Sequence, residues 1–286
     1  MKKSIAFLAV ISVLLLSCNT PRYMYSPSAQ NVPVLVKNGD SKLAANYSSD
    51  LSGYPFTSTS PAGETKKSNG FDLQGAVAIT DHFAIQANYF NRTERNGGND
   101  DNYLDSTVIN YKRKLTEFGI GYLKSMHRHD KVMFQVFGGA GKGNFRFTDR
   151  GKDQNNIYLL RSHEADVLKV YVQPAFLFRI RENFSMSVST RFSFINFSNI
   201  KTDYTQTELE SYQLNDLPLG YRVFFEPAFT NTFGFNKLPG VKFEYQFLTA
   251  LQISDRTIDY RSFNFSLGIL LDIPKMFKTG AGKETD

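Results

Sequence analysis

From Leu43 to Leu271 the chain keeps returning to one pattern, in which apolar and polar residues alternate singly over long segments. Phe184, Met186, Val188, Phe192 and Phe194 oppose Ser185, Ser187, Ser189 and Arg191. Val241, Phe243, Tyr245, Phe247, Leu251 and Ile253 oppose Lys242, Glu244, Gln246 and Gln252. A period of two puts one set on each face of a β-strand and suits no helix. Ten such segments can be counted, beginning with Leu43, Ala45 and Tyr47 and ending with Phe263 to Leu271. The expectation is an all-β antiparallel protein with no helix in its mature part.

A water-soluble sandwich alternates in the same way, so the choice rests on length and on the two faces. The segments run to about 10 to 16 residues, beyond the roughly 5 to 6 of soluble strands, and a tilted membrane strand needs about 9 to 11. The apolar face is rich in aromatics near segment ends, drawn from 26 Phe and 15 Tyr with no Trp, as interfacial girdles are. The opposite face carries both signs of charge: Lys42, Arg113, Lys169, Arg179, Arg191, Arg222 and Lys242 against Asp72, Glu117, Glu226 and Glu244. These features predict a transmembrane antiparallel β-barrel over residues 42–273, with a polar tail at 274–286.

The connections alternate in length. Residues 49–68, 92–105, 148–163 and 199–219 read as long polar loops and 254–260 as a shorter one, while 80–82, 125–130, 181–183 and 231–240 read as turns. Outer-membrane barrels place long loops outside the cell and short turns in the periplasm. A ten-stranded lumen is narrow, since about eight strands are just filled by side chains. The inward charges are therefore expected to plug it, with Arg222, Glu226, Lys242 and Glu244 on adjacent strands as a network. The alternative is a narrow channel, weakly positive and suited to small anionic solutes. A soluble sandwich tethered to the membrane is the other alternative.

At the N-terminus Lys2 and Lys3 precede an apolar run from Ile5 to Leu16, interrupted by Ser12. It is too short to cross a bilayer and suits an export signal. The run ends Leu15-Leu16-Ser17-Cys18, which resembles the lipobox of bacterial lipoproteins. The resemblance implies cleavage after residue 17 and lipidation of Cys18. Two or more acyl chains make such anchoring stable. Asn19 is not the aspartate that retains some lipoproteins at the inner membrane. Cleavage removes two of 33 basic side chains and none of the 27 acidic ones, leaving a formal charge of +4. With no basic block, nucleic acid is not an expected partner.

Residues 18–41, with Pro21, Pro27, Pro33 and a closing Asn38-Gly39-Asp40, read as an extended linker. An even number of strands returns the C-terminus to the periplasmic side, and the lipid and linker are expected to begin there. The stretch Tyr25 to Leu35, followed by Gly39-Asp40 and a strand, resembles the mature N-terminus of small outer-membrane barrel lipoproteins of Bacteroidota-type bacteria. Ala78-Ile79-Thr80-Asp81-His82-Phe83-Ala84-Ile85 resembles their first tight hairpin. That resemblance implies an outer-membrane barrel and no assigned chemistry.

The search for chemistry returns little. His127, His129 and Asp130 sit in a turn without a third fixed ligand. His163, Glu164 and Asp166 offer an acid and a base without a nucleophile. Asp100-Asp101 resembles the paired acids of omptin-type barrel proteases, but Asp81-His82 falls on the opposite side of the membrane. Gly138 to Gly143 lacks the Lys-Ser/Thr ending of a phosphate loop. One cysteine excludes disulfides and thiolate metal clusters. The reading is a non-enzymatic, lipid-anchored barrel without cofactors, in a structural or accessory role. Its partners would be outer-membrane lipid and, as a candidate, another outer-membrane protein.

Overall fold

A computed structural model of the protein describes residues 21–52, 64–98, 108–126, 130–152 and 158–274. Its strands are β1 (Ser41–Ser52), β2 (Glu64–Ala78), β3 (Phe83–Gly98), β4 (Val108–Ser125), β5 (Val132–Lys152), β6 (Tyr158–Arg181), β7 (Phe184–Thr202), β8 (Arg222–Phe235), β9 (Leu238–Thr249), β10 (Leu251–Gln252) and β11 (Phe263–Asp272). Each strand pairs antiparallel with its neighbour. The sheet closes where β1 meets β11 (Leu43 opposite Leu271) and β9 sits between β8 and β11. β10 continues β9 past Ala250 along the same partner, β8. The wall is thus a closed antiparallel transmembrane-type barrel of ten strands, as alternation over long segments predicts. Where all ten strands pair, closure leaves no unpaired sheet edge. A tethered sandwich is excluded by the same closure.

The connections 53–63, 99–107, 153–157, 203–221 and 253–262 all fall at one end, here called the distal end. Those at 79–82, 126–131, 182–183 and 236–237 fall at the other, the proximal end. One short helix, α1 (Gln206–Ser211), lies in the distal connection 203–221, opened by a capping box between Thr205 and Glu208. It departs from the expectation of no helix. Tyr204, Leu214 and Leu217 of this connection are buried and roof the barrel.

The outward face changes character along the strands. Toward the proximal end it is an apolar belt. Phe83 and Ile85 on β3, Phe118 and Ile120 on β4, Leu168, Val170, Val172 and Phe176 on β6 and Phe243 and Phe247 on β9 all stand exposed. Toward the distal end β4 and β5 turn Lys112, Lys114, Lys142 and Arg150 outward instead. The interior changes in the opposite sense. Inside the belt it is polar, with Gln74, Gln86, Gln135, Gln173 and Gln246 buried; distal to it, Ile109, Tyr111, Phe145, Phe147, Val167 and Phe197 form an aromatic core. Strands β2 to β7 therefore extend beyond the belt as a curved sheet, apolar within and polar without, which β1 follows no further than Ser48 opposite Gly70 and β8 no further than Arg222 opposite Ile195.

This corrects the reading of 148–163 as a loop. β5 and β6 pair there without a break, from Thr148 opposite Ser162 to Lys152 opposite Tyr158. β3 likewise runs on to Gly98. The physical reason is that the apolar residues change face. On β5 Phe134, Val136 and Ala140 face outward, with Met133 and Phe137 inward among polar neighbours, whereas beyond the belt the apolar residues Phe145 and Phe147 are inward and Lys142 and Arg150 outward.

Candidate functional site

The feature that decides what this barrel can do is the segment before β1. Residues 21–36 run through the lumen from end to end, and Arg22 to Pro33 are buried at every position. It is extended, as its prolines and lack of periodicity predict. It lies in the lumen, however, and is not a linker outside the wall.

Its composition matches the layers it crosses. Tyr23, Met24 and Tyr25 join the aromatic core at the distal end. Ser26, Ser28, Gln30 and Asn31 cross the polar middle. Val32 packs with Met133, Ala175 and Leu177, and Leu35 with Ala78, Leu123 and Phe137. Where all ten strands pair, an extended segment in the lumen finds no neighbouring strand with free backbone groups, so wall side chains must satisfy it there. Gln246 does this in both directions, since its Oε1 accepts from Gln30 N (2.7 Å) and its Nε2 donates to Gln30 O (2.9 Å). Gln74 donates to Ala29 O at 3.2 Å and Gln173 to Asn31 O at 2.8 Å. At the distal end Arg113 donates to Tyr23 O at 2.6 Å, and Arg261 N bonds to Tyr25 O at 2.8 Å.

The inward charges are paired around it. Arg92 meets Asp50 at 2.6 Å and Asp72 at 3.5 Å, Arg113 meets Glu94 at 3.0 Å, Lys169 meets Glu117 at 3.0 Å and Lys42 meets Glu244 at 2.9 Å. Arg261 also reaches Glu94. Charges so far from water survive only with partners. The segment adds contacts of its own: Ser26 bonds Asp50 (2.9 Å), Ser28 accepts from Arg191 (3.1 Å) and the Tyr25 hydroxyl donates to Glu226.

The four charges expected to form one network are therefore distributed. Glu226 binds Tyr25 and Ser193, and Glu244 binds Lys42. Arg222 lies at the distal mouth and donates to the carbonyls of Asp216, Leu219 and Gly220. Lys242, opposite Gly234, belongs to the proximal end. The expectation of a filled lumen holds, but the filling is main chain. Spacing within the strands cannot show this, because the matching residues lie in a segment without periodicity.

The other candidate groups are separated. His163 points inward, stacked on Phe147 with centroids 5.3 Å apart. Burial lowers its pKa to about 4. Asp166 points outward, held by Asn199 at 2.8 Å. His163 and Asp166 thus lie on opposite faces of the wall and cannot act on one substrate. Asp81 accepts from Asn38 N at 2.9 Å in the proximal turn. Cys18, Asp100, Asp101, His127 and His129 lie outside the described residues. Among the described residues, no group of three His, Cys, Asp or Glu is placed to hold a metal ion. Around Gly139 the wall is close-packed: Tyr171 lies over Gly119 and Gly139, which accounts for glycines there without a phosphate site.

No family model and no curated protein matches the chain. Similar solved structures include three barrels. The COG4313 outer membrane channel of Pseudomonas putida F1 is 12% identical with a TM-score of 0.39, over 85% of this chain and 99% of that one. The outer membrane protease OmpT of Escherichia coli is 9% identical with a TM-score of 0.41, over 82% and 93%. The outer membrane protein OprG of Pseudomonas aeruginosa is 14% identical with a TM-score of 0.33, over 82% and 96%. None reaches a TM-score of 0.5, and nothing about this chain's activity follows from them.

Proposed function

We propose that this chain is an outer-membrane β-barrel that does not conduct, lipidated at Cys18, and that it acts by presenting its distal projection to the environment or to another outer-membrane protein. The single observation that carries the reading is the lumen segment. Its backbone is hydrogen-bonded by Gln74, Gln173 and Gln246 at successive heights. A solute pathway would require all of these bonds to break together.

The belt supports the membrane location. Large apolar side chains such as Ile120 (72% exposed) and Phe118 (65%) are not sustained in water over so broad a band. The lipobox at Leu15 to Cys18 supports the lipid anchor, and the difference in connection length supports distal loops outside the cell. The separation of His163 from Asp166 supports a role without catalysis. In this reading the projection is the working part and the belt holds it in place.

Planar-bilayer recording tests the proposal. The intact protein should show no steady conductance, and deletion of residues 21–36 should open one. A large steady conductance from the intact protein would instead support the narrow anion channel.

A further inference from the structure

We infer that the chain enters the lumen from the distal end, so that the mature N-terminus lies on the same membrane face as the long connections and not on the face of the short turns. This rests on the proposed orientation and on lipidation at Cys18 only for its biological meaning. If both hold, the acyl chains anchor the protein from the cell-surface leaflet.

Contacts at the two ends of the segment give its direction. Arg22 Nη2 meets Asp149, near the distal end of β5, at 2.5 Å, and its guanidinium lies 4.1 Å from the Tyr212 ring in the 203–221 connection. Met24 N donates to Asp259 O at 2.8 Å and Arg22 N to Asp259 Oδ2 at 3.0 Å, both in the 253–262 connection. At the other extreme Asn38 bonds Asp81 and Gly39 N bonds Ala78 O at 2.9 Å, both in the proximal 79–82 hairpin. The chain order is thus distal, lumen, proximal turn, then β1.

The filled lumen keeps the preceding residues from running back. Gln30, Asn31 and Leu35 are at 0% exposure, so the lumen is packed around the segment at these heights. On its β10 side the entry has a low wall. Asp259 follows β10, whose outward Leu251 and the nearby Ile253 still belong to the apolar belt. Arg22 follows Cys18 by four Cα-to-Cα steps, a reach of at most about 14 Å. A lipid on that cysteine would meet the outer leaflet over this low side.

The experiment compares three epitope insertions in the full chain, each checked for heat-modifiable migration as evidence of a closed barrel. One follows Asn19, one lies within 53–63 and one lies between Asn236 and Lys237. Antibody binding is read on intact cells and after outer-membrane permeabilisation. The inference expects the Asn19 epitope to behave as the 53–63 epitope does, with equal signal before and after permeabilisation. An Asn19 epitope that behaves as the Asn236 epitope does would overturn it. Palmitate labelling of the intact chain against C18A is scored separately. An intact chain that takes no label, or a C18A variant that keeps it, with the Asn19 epitope still on the 53–63 side rejects lipidation alone. If the 53–63 and Asn19 epitopes both need permeabilisation while the Asn236 epitope does not, the orientation is reversed and the distal entry stands.

Discussion

Arg92 Nη1 lies 2.6 Å from Asp50 Oδ1 inside the wall, and the hydroxyl of Ser26 bridges the pair, 3.1 Å from the guanidinium and 2.9 Å from the carboxylate. The pair is wholly buried, so the wall and the lumen segment share one ion-paired unit. Breaking a buried pair from one side leaves an uncompensated charge, at about 3 to 5 kcal/mol. Arg92→Ala strands both Asp50 and Asp72 and is expected to cost that much in urea unfolding of the refolded barrel. Ser26→Ala removes only the bridge and should cost about 1 kcal/mol. Equal effects from the two substitutions would mean that the ion pair is not the organising contact.

Gln246 offers a way to loosen the lumen segment without altering charge. Its amide exchanges two hydrogen bonds with the Gln30 backbone and a third with Thr230 at 2.8 Å. Gln246→Leu leaves a buried peptide unit unsatisfied, at roughly 1 to 3 kcal/mol per group. The expected outcome is brief conductance steps in planar bilayers, absent from the parent protein, while heat-modifiable migration is kept. A silent bilayer with unchanged stability would show that Gln246 does not hold the segment.

Adjacent glycines on β5 give a sharp contrast. A Cβ at Gly139 would stand 2.2 Å from Phe118 O and 2.7 Å from the Tyr171 hydroxyl, whereas one at Gly138 would meet nothing nearer than Tyr171 O at 3.8 Å. Phe118 O belongs to the wall and cannot swing aside. Gly139→Ala should destabilise the barrel by about 1 to 3 kcal/mol, the usual range for overpacking, and Gly138→Ala should be neutral. The comparison uses urea midpoints of the two variants, and a Gly139→Ala midpoint matching Gly138→Ala would refute the close approach.

Within the belt the sequence is easy to read, because the outward positions of each strand are mostly apolar and the inward ones mostly polar, Phe137 and Leu177 being inward exceptions. Val188 and Phe192 go out, and Ser187 and Arg191 go in. Beyond the belt the rule reverses. Phe145 and Phe147 are inward on the same strand whose Phe134 and Val136 are outward. After Phe147 the sequence from Thr148 to Asn156 has no apolar residue on either face, which is how residues 148–163 come to resemble a loop. The lumen segment was less legible for another reason. Gln30 and Asn31 carry no periodic signal, and their partners, Gln246, Gln173 and Asn88, are far away in the chain. Polar residues in an aperiodic, proline-bearing stretch look like a solvated linker unless the receiving glutamines are recognised as a set. The mixed-sign lumen charges were the accessible hint that the interior is filled.

His163 lies on the projecting part of β6, outside the belt, with its Nδ1 3.0 Å from Thr202 Oγ1 and its ring between Phe147 and Tyr204. Burial lowers its pKa to about 4, whereas an unfolded histidine titrates near 6.5. A base with a lowered folded pKa contributes no penalty above the unfolded value. Below it the unfolded chain takes up a proton that the folded one does not. Stability should therefore fall as pH drops from about 6.5 toward 4, with a slope from this group of at most about 1.4 kcal/mol per pH unit, and level off below. His163→Phe keeps a ring against Phe147 and removes the titration. Urea midpoints measured from pH 7 to pH 4 should decline less steeply in the variant than in the parent. Parallel curves would place the acid sensitivity of the distal core elsewhere.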